Sequence, residues 1–297
     1  MSATTSIPPA LREWAQHIVG PVPSARNVSH DRPNSRVWEL TYATGRAFVK
    51  LSPNPTSFGR ETRALREVAP ALQPGTIPLL RGADPYQRAL LLSPVAGRPG
   101  TSLSLAPAGQ RALHRQAGSW LRIFHGAESD LCVQDRRDAA AEITLARAGA
   151  AKHLERAGDL ISPAQRRTVL RHATELGTVA ALPVGYVHGD FQPRNWPLET
   201  DQGQAVFGSV DLERARPHAV AADVVPLVCG PWAGHPGLEE AFWTGYGRRL
   251  TGKEERVLRC LSALDAESAI SWGVPHGDRE IVKRGRATLA RLEVQTA

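Results

Sequence analysis

A two-lobed α+β fold is what this sequence predicts: a small strand-rich lobe over residues 1–93 and a larger, mainly helical lobe over residues 94–297. Short β-prone runs separated by turn residues occupy the first third, and from Pro107 onward apolar residues recur every three or four positions. With 42% apolar residues in 297, each lobe can fill a core of its own. No repeat with a period of roughly 20 to 50 residues interrupts this pattern, which removes solenoid architectures.

Val37 to Thr41 and Arg46 to Leu51 read as two strands joined by the turn Ala43-Thr44-Gly45. Ser57 precedes a helical stretch from Phe58 to Leu72, with Leu65, Val68 and Leu72 at helical spacing and Pro74-Gly75 as its stop. Ala89 to Leu92 is an apolar strand running into Ser93-Pro94-Val95-Ala96-Gly97, a hinge between the lobes. Pro107 then opens a helix whose buried face is Leu113, Ala117, Trp120, Leu121 and Phe124, ending near His125-Gly126. Residues 135 to 182 form two more helices, broken around Gly158 and restarted at Ser162-Pro163 by an N-cap and a first-turn proline. Beyond Asp211 come a loop and helices over about 238–250, 253–272 and 278–293.

The formal charge of +7 raises the question of nucleic acid, since clustered cations neutralise phosphates. Arginine supplies most of that charge, spread along the chain and often beside Glu or Asp, so the surplus reads as solvated surface with room for an anionic substrate. No apolar run approaches the roughly 20 residues that a membrane-spanning helix needs. The opening MSATTSIPPALREW lacks a secretory layout, and the expectation is a cytoplasmic protein. Cys132, Cys229 and Cys260 are far apart, without zinc or disulfide spacing, and read as buried small hydrophobes.

The densest motif is Tyr186-Val187-His188-Gly189-Asp190-Phe191-Gln192-Pro193-Arg194-Asn195. It sets an Asp and an Asn five residues apart in a loop. Phosphoryl transfer needs that pair: a carboxylate, Asp190, to accept the hydroxyl proton, and an amide oxygen, Asn195, to hold Mg²⁺ on the phosphates. The full pattern HGDxxxxN, here His188 to Asn195, arises by chance in on the order of one chain in a thousand of this size. A second carboxylate belongs after a short hairpin, and Asp211 follows a strand over Ala205 to Val210, with Glu213 either meeting a second metal or orienting the loop. Upstream, Lys50 closes the strand Phe48-Val49-Lys50 and Glu61 begins the next helix, an ion pair that would hold the ammonium on nucleotide phosphates.

Together these residues resemble the aminoglycoside phosphotransferase and choline kinase superfamily, from about Asn27 to the last helix. The resemblance implies a bilobal protein-kinase-like fold, ATP or GTP as phosphoryl donor, Mg²⁺ as cofactor and a small hydroxylated acceptor, in a resistance or biosynthetic role. It makes Lys50 the nucleotide lysine, Glu61 its partner, Asp190 the base, and Asn195 and Asp211 the metal ligands. Phe124-His125 matches the ending of the family's first large helix, Asp223 its later structural aspartate, and Leu92 to Val95 the hinge that binds adenine. The chain departs from protein kinases in three places. The phosphate-covering turn is Asn27 to Ser35, with Ser29, Asn34 and Ser35 in place of a GxGxxG; Gln192 replaces a lysine; and Leu212-Glu213-Arg214-Ala215-Arg216 follows the second aspartate.

For the acceptor, Arg194, Arg214 and Arg216 flank the catalytic loops, and Trp232 and Trp272 lie near Gly and Pro, whereas Trp243 sits in a helical core pattern. The basic balance favours a neutral or anionic, nucleoside-type acceptor over a polycationic aminoglycoside. A metabolite kinase for homoserine, choline or a sugar, or a non-catalytic kinase-like scaffold, is the alternative.

Overall fold

The computed structural model describes residues 6–29, 36–127, 131–179, 183–201 and 204–294. Along the chain come α1 (Pro9–Val19), β1 (Ser24–Asn27), β2 (Val37–Tyr42), β3 (Gly45–Leu51), α2 (Pro55–Arg63), β4 (Leu80–Asp84), β5 (Ala89–Leu92) and β6 (Arg98–Pro99). There follow α3 (Pro107–Gly126), α4 (Val133–Ala157), α5 (Pro163–Leu176), β7 (Val184–Val187), β8 (Pro197–Asp201), β9 (Gln204–Phe207) and β10 (Arg216–Ala219). The chain finishes with α6 (Val225–Val228), α7 (Pro236–Tyr246), α8 (Gly252–His276) and α9 (Arg279–Val294). The α+β class expected from the sequence is what is found, an antiparallel sheet region followed by a helical part. Contacts divide the chain into two compact units, Met1–Ser104 with Pro193–Ala215, and Leu105–Gln192 with Arg216–Ala297.

The first unit is built on a five-stranded antiparallel sheet in the order β1-β2-β3-β5-β4. Side chains alternate across a strand. On β3 this puts Ala47 and Val49, both fully buried, on one face and Phe48 and Lys50 on the other. The buried face joins Trp38, Leu40 and Leu91 in a core closed by Leu11 and Ala15 of α1. Lys50 therefore stands on the face away from that core. A three-stranded ribbon, β6-β8-β9, completes the unit.

Helix α2 starts earlier than the sequence suggests: its N-cap is Asn54, whose side chain accepts the Ser57 N–H at 2.8 Å, with Pro55 in the first turn. The helical path then widens into a π-turn at Ala64–Val68 and tightens into a 3₁₀ turn at Ala69–Ala71. The strand expected over Ala205 to Val210 ends at Phe207, so Asp211 follows a short irregular segment. Cys229 and Cys260 are buried as expected, but Cys132 is exposed and caps α4, its Sγ accepting the Asp135 N–H. Among the described residues no helix is long and apolar enough to cross a membrane.

The second unit is helical apart from the two-stranded β7-β10 pair. Its helices α4, α5, α8 and α9 share a core of Leu154, Val169, Ile270 and Leu289. A capping box, Ser162 with Gln165, starts α5. Helices α3 and α7 touch backbone to backbone at Gly118 and Gly245. A Cβ on Gly245 would fall 1.9 Å from the Arg115 carbonyl oxygen, and one on Gly118 2.1 Å from that of Phe242. Backbone cannot rotate away, so Gly245→Ala must force the helices apart. Overpacking of this kind costs about 1–3 kcal/mol or more, and a clear fall in the urea midpoint of the variant is expected. An unchanged midpoint would show that the two helices separate freely.

Candidate active site

In the first unit the antiparallel register sets Lys50 opposite Val37 and Leu90. Its Nζ lies 2.8 Å from Glu61 Oε2, 2.5 Å from Asp211 Oδ1 and 3.4 Å from Glu213 Oε2. Glu61 is only 2% exposed on α2, while Asp211 and Glu213 are half-buried in the segment after β9. Burial by itself would lower the Lys50 pKa, but the three carboxylates outweigh it and hold the ammonium well above the ordinary lysine value. Burial pushes the Glu61 carboxyl up, against the pull of Lys50. Asp211 has φ 71, the left-handed region that Asp tolerates better than most residues and that recurs at working sites.

Asn195 is buried in the 3₁₀ turn Pro193–Asn195, and its carbonyl accepts the Val210 N–H at 3.0 Å. That bond aligns the backbone just before Asp211 with Asn195. Three carboxylates around one ammonium give the cluster an excess of negative charge, and the donors are all hard oxygens. This set fits Mg²⁺.

Asp190 belongs to the second unit, on the turn that leaves β7. The turn is pinned by Asp223, which is fully buried: its carboxylate accepts the His188 and Gly189 N–H groups, each at 2.7 Å, and lies 3.0 Å from His125 Nε2. Nδ1 of His125 is 2.9 Å from the Tyr246 hydroxyl. The network is satisfied when Nε2 carries the proton and Tyr246 donates to Nδ1. Burial pushes the Tyr246 pKa up to about 12, so the hydroxyl keeps its proton. Burial alone would raise Asp223, but the hydrogen bonds from the His125 ring and the His188 N–H hold it below the usual carboxylate range.

Asp190 is 8% exposed, its N–H lies 3.3 Å from His188 Nδ1, and Gln192 Nε2 donates to its Oδ1. Phe191 stacks on Trp120, which stacks on Phe124, so the motif rests on an aromatic column. His188, wholly buried, serves to order this turn.

The remaining expected residues fare unequally. Ser29 closes the end of the β1-β2 pair, its N–H on Asn27 Oδ1 and its Oγ accepting the Val37 N–H, both at 2.9 Å. Ser35 and Asn34 lie outside the described residues. Leu92 is buried between Phe48 and Leu80 in the sheet, and Val95 is half-buried beyond it. Arg194 and Arg214 are exposed. Arg216 instead sits in β10 with its Nε 3.2 Å from Glu142. Trp232 is 4% exposed, packed against Phe242 and Trp243, and its place beside Gly and Pro is therefore a core position and not a loop rim. Trp243 is buried as expected. Trp272 is 46% exposed and stacks on His276 at 4.2 Å. The partners Glu142, Tyr246 and the Gln192 bond to Asp190 were not apparent from sequence, because each depends on a fold contact or a rotamer.

A family model described as the phosphotransferase enzyme family matches residues 24–260. The chain belongs to that family. No curated protein matches this phosphotransferase in sequence. Among solved structures, macrolide 2'-phosphotransferase MphH from Brachybacterium faecium is 19% identical at a TM-score of 0.60, covering 94% of this chain and 96% of that one. APH(2")-IIIa in complex with GDP and kanamycin is 13% identical, TM-score 0.66, over 97% and 99%. APH(2")-IIa in a ternary complex with streptomycin and ATP is 16% identical, TM-score 0.63, over 97% of each chain. The phosphotransferase shares their fold.

Proposed function

We propose that this phosphotransferase carries the γ-phosphoryl group of ATP or GTP to a hydroxyl of an antibiotic or related metabolite, with Mg²⁺ as cofactor and Asp190 as base. The acceptor oxygen forms a bond to the γ-phosphorus, the bond to the β,γ-bridging oxygen breaks, and the hydroxyl proton passes to the Asp190 carboxylate. The observation that carries this reading is the Lys50 cluster: a buried, fully charged ammonium held by Glu61, Asp211 and Glu213. Lys50 is poised to exchange its bond to Asp211 for one to a nucleotide phosphate, while Glu61 keeps the long side chain in place. Asn195 and Asp211 would hold Mg²⁺, which when bound neutralises charge on the transferring phosphoryl oxygens. The related structures that hold GDP or ATP support the choice of donor.

For the acceptor, the formal charge of +7 and the exposed Arg194 and Arg214 favour a neutral or anionic molecule over a polycation. Arg216, paired with Glu142, serves the packing of β10 on α4 and drops out of the acceptor set. The test is a panel of hydroxylated antibiotics scored by nucleotide consumption, followed by kinetics on the best acceptor. Arg194→Ala is expected to raise the acceptor KM several-fold and leave the nucleotide KM unchanged, with added salt weakening the acceptor in wild type. Efficient turnover of a polycationic aminoglycoside, insensitive to Arg194→Ala, overturns the acceptor reading and leaves the phosphoryl transfer itself standing.

A further inference from the structure

Within the second unit, and using no residue assigned to phosphoryl transfer, α5 and α8 bring together a histidine, a glutamate and a cysteine. His172 and Glu175 are three apart on α5 and so share a face, and Cys260 meets them from α8. His172 Nδ1 lies 3.4 Å from Glu175 Oε2 and 3.8 Å from Cys260 Sγ, and one ligand atom from each residue lies within 4.8 Å of the other two. His172 is 2% exposed and Cys260 is wholly buried. The other ring nitrogen of His172, Nε2, has no hydrogen-bond partner among the described residues, so the polar contacts of the ring run through Nδ1 into the cluster.

The spacings of His172 Nδ1 from Glu175 Oε2 and from Cys260 Sγ are close to those of metal ligands. Zinc bonds of about 2.0–2.2 Å to N and O and about 2.3 Å to S, at tetrahedral angles, give an N···O edge of roughly 3.4 Å and an N···S edge of roughly 3.6 Å. A good N–H···O hydrogen bond would be shorter, about 2.7–3.2 Å. Burial pushes the Cys260 thiol up to about 12, so its proton leaves only as a dication binds, and the thiolate and the Glu175 carboxylate then supply two negative charges. Arg256, four residues before Cys260 on α8, lies 3.5 Å from Glu175 Oε1 and so steadies the carboxylate while leaving Oε2 to the cluster. Arg171 and Arg259 also act on the His172 ring, so a cation is held here only by ligands that bring their own negative charge. The mixed S, N and O set selects a borderline ion over a hard one such as Mg²⁺. The Glu175 side chain, 35% exposed, leaves one side open for entry of the ion and for a water as fourth ligand.

We propose that His172 Nδ1, Glu175 Oε2 and Cys260 Sγ form a site for one borderline-soft divalent cation, with Zn²⁺ the fitting occupant, that ties α5 to α8. The test uses the full chain without a polyhistidine tag, stripped with chelator and titrated with Co²⁺ and then Zn²⁺. One Co²⁺ per chain is expected, with thiolate-to-cobalt charge-transfer absorption that one equivalent of Zn²⁺ abolishes, and Zn²⁺ should raise the unfolding temperature. Cys260→Ala should lose the charge-transfer band, whereas Cys132→Ser should keep it. Glu175→Gln, at a half-exposed position where folding is safe, should weaken Co²⁺ binding by at least the roughly tenfold that loss of a mere supporting contact costs. The proposal falls if the wild-type chain gives no thiolate band, if the band survives in Cys260→Ala, or if Glu175→Gln binds Co²⁺ as tightly as wild type.

Discussion

Asp190→Asn is expected to fold normally, to bind MgATP or MgGTP with near-native affinity, and to lose about 10²- to 10⁴-fold in kcat, the range a positioned proton acceptor supplies. Folding should survive because the turn is held mainly by backbone donors: His188 and Gly189 N–H groups on Asp223, and the Asp190 N–H beside His188 Nδ1. The side chain itself meets Gln192, whose amide can turn over to offer its oxygen to the new Asn amide. On the proposed function, nucleotide affinity rests on other residues, above all Lys50. Asn keeps the shape of Asp and removes only the charge, so chemistry separates from folding and binding. Steady-state kinetics, thermal unfolding and nucleotide calorimetry on one preparation check all three. Near-native turnover by a folded, nucleotide-bound variant would remove Asp190 as the base.

What sequence made legible was local, and what it hid was non-local. The alternation Ala47, Val49 against Phe48, Lys50 is visible within one short strand, and it alone places Lys50 on the face away from the α1 core. The helical periodicity of α3 and the Ser162-Pro163 restart of α5 are equally short-range. By contrast β10 is four residues with a central Pro217, too short to alternate, and it exists because β7 pairs with it. Two prolines flank Asn54, which obscured it as the cap of α2 in favour of Ser57. Trp232 stands beside Gly230 and Pro231 and reads as loop, yet Phe242 and Trp243 fold back over it. The same holds for the candidate site. The Asp190 to Asn195 spacing is a string in the sequence, whereas the convergence of Glu61, Asp211 and Glu213 on one ammonium, and of Arg216 on Glu142, depends on tertiary contact.

Lys50→Met is expected to abolish phosphoryl transfer and also to destabilise the chain, and the second effect carries a pH signature that identifies its cause. With Lys50 gone, Glu61 is left buried at 2% exposure beside Asp211 and Glu213, and breaking such a buried pair costs about 3–5 kcal/mol. Burial already raises the folded-state pKa of Glu61 in wild type, and Lys50 is what opposes the rise. In the variant that opposition is lost and the native carboxyl climbs further above its unfolded value. The native state then binds more protons than the unfolded state, so stability falls as pH rises through the raised folded value and is fully recovered only below the unfolded carboxyl range, about 4.3. Urea unfolding of Lys50→Met at pH 8 and pH 5.5 should show a clear gain at the lower pH, a trend Glu61→Gln cannot show through a group it lacks. Accordingly the double variant Lys50→Met with Glu61→Gln should regain most of the lost stability at pH 8 while remaining inactive, because a neutral amide at position 61 needs no cation but the phosphates still do. A double variant as unstable as Lys50→Met, or a single variant whose stability ignores pH, would mean that the Lys50–Glu61 pair is not what steadies α2 against β3.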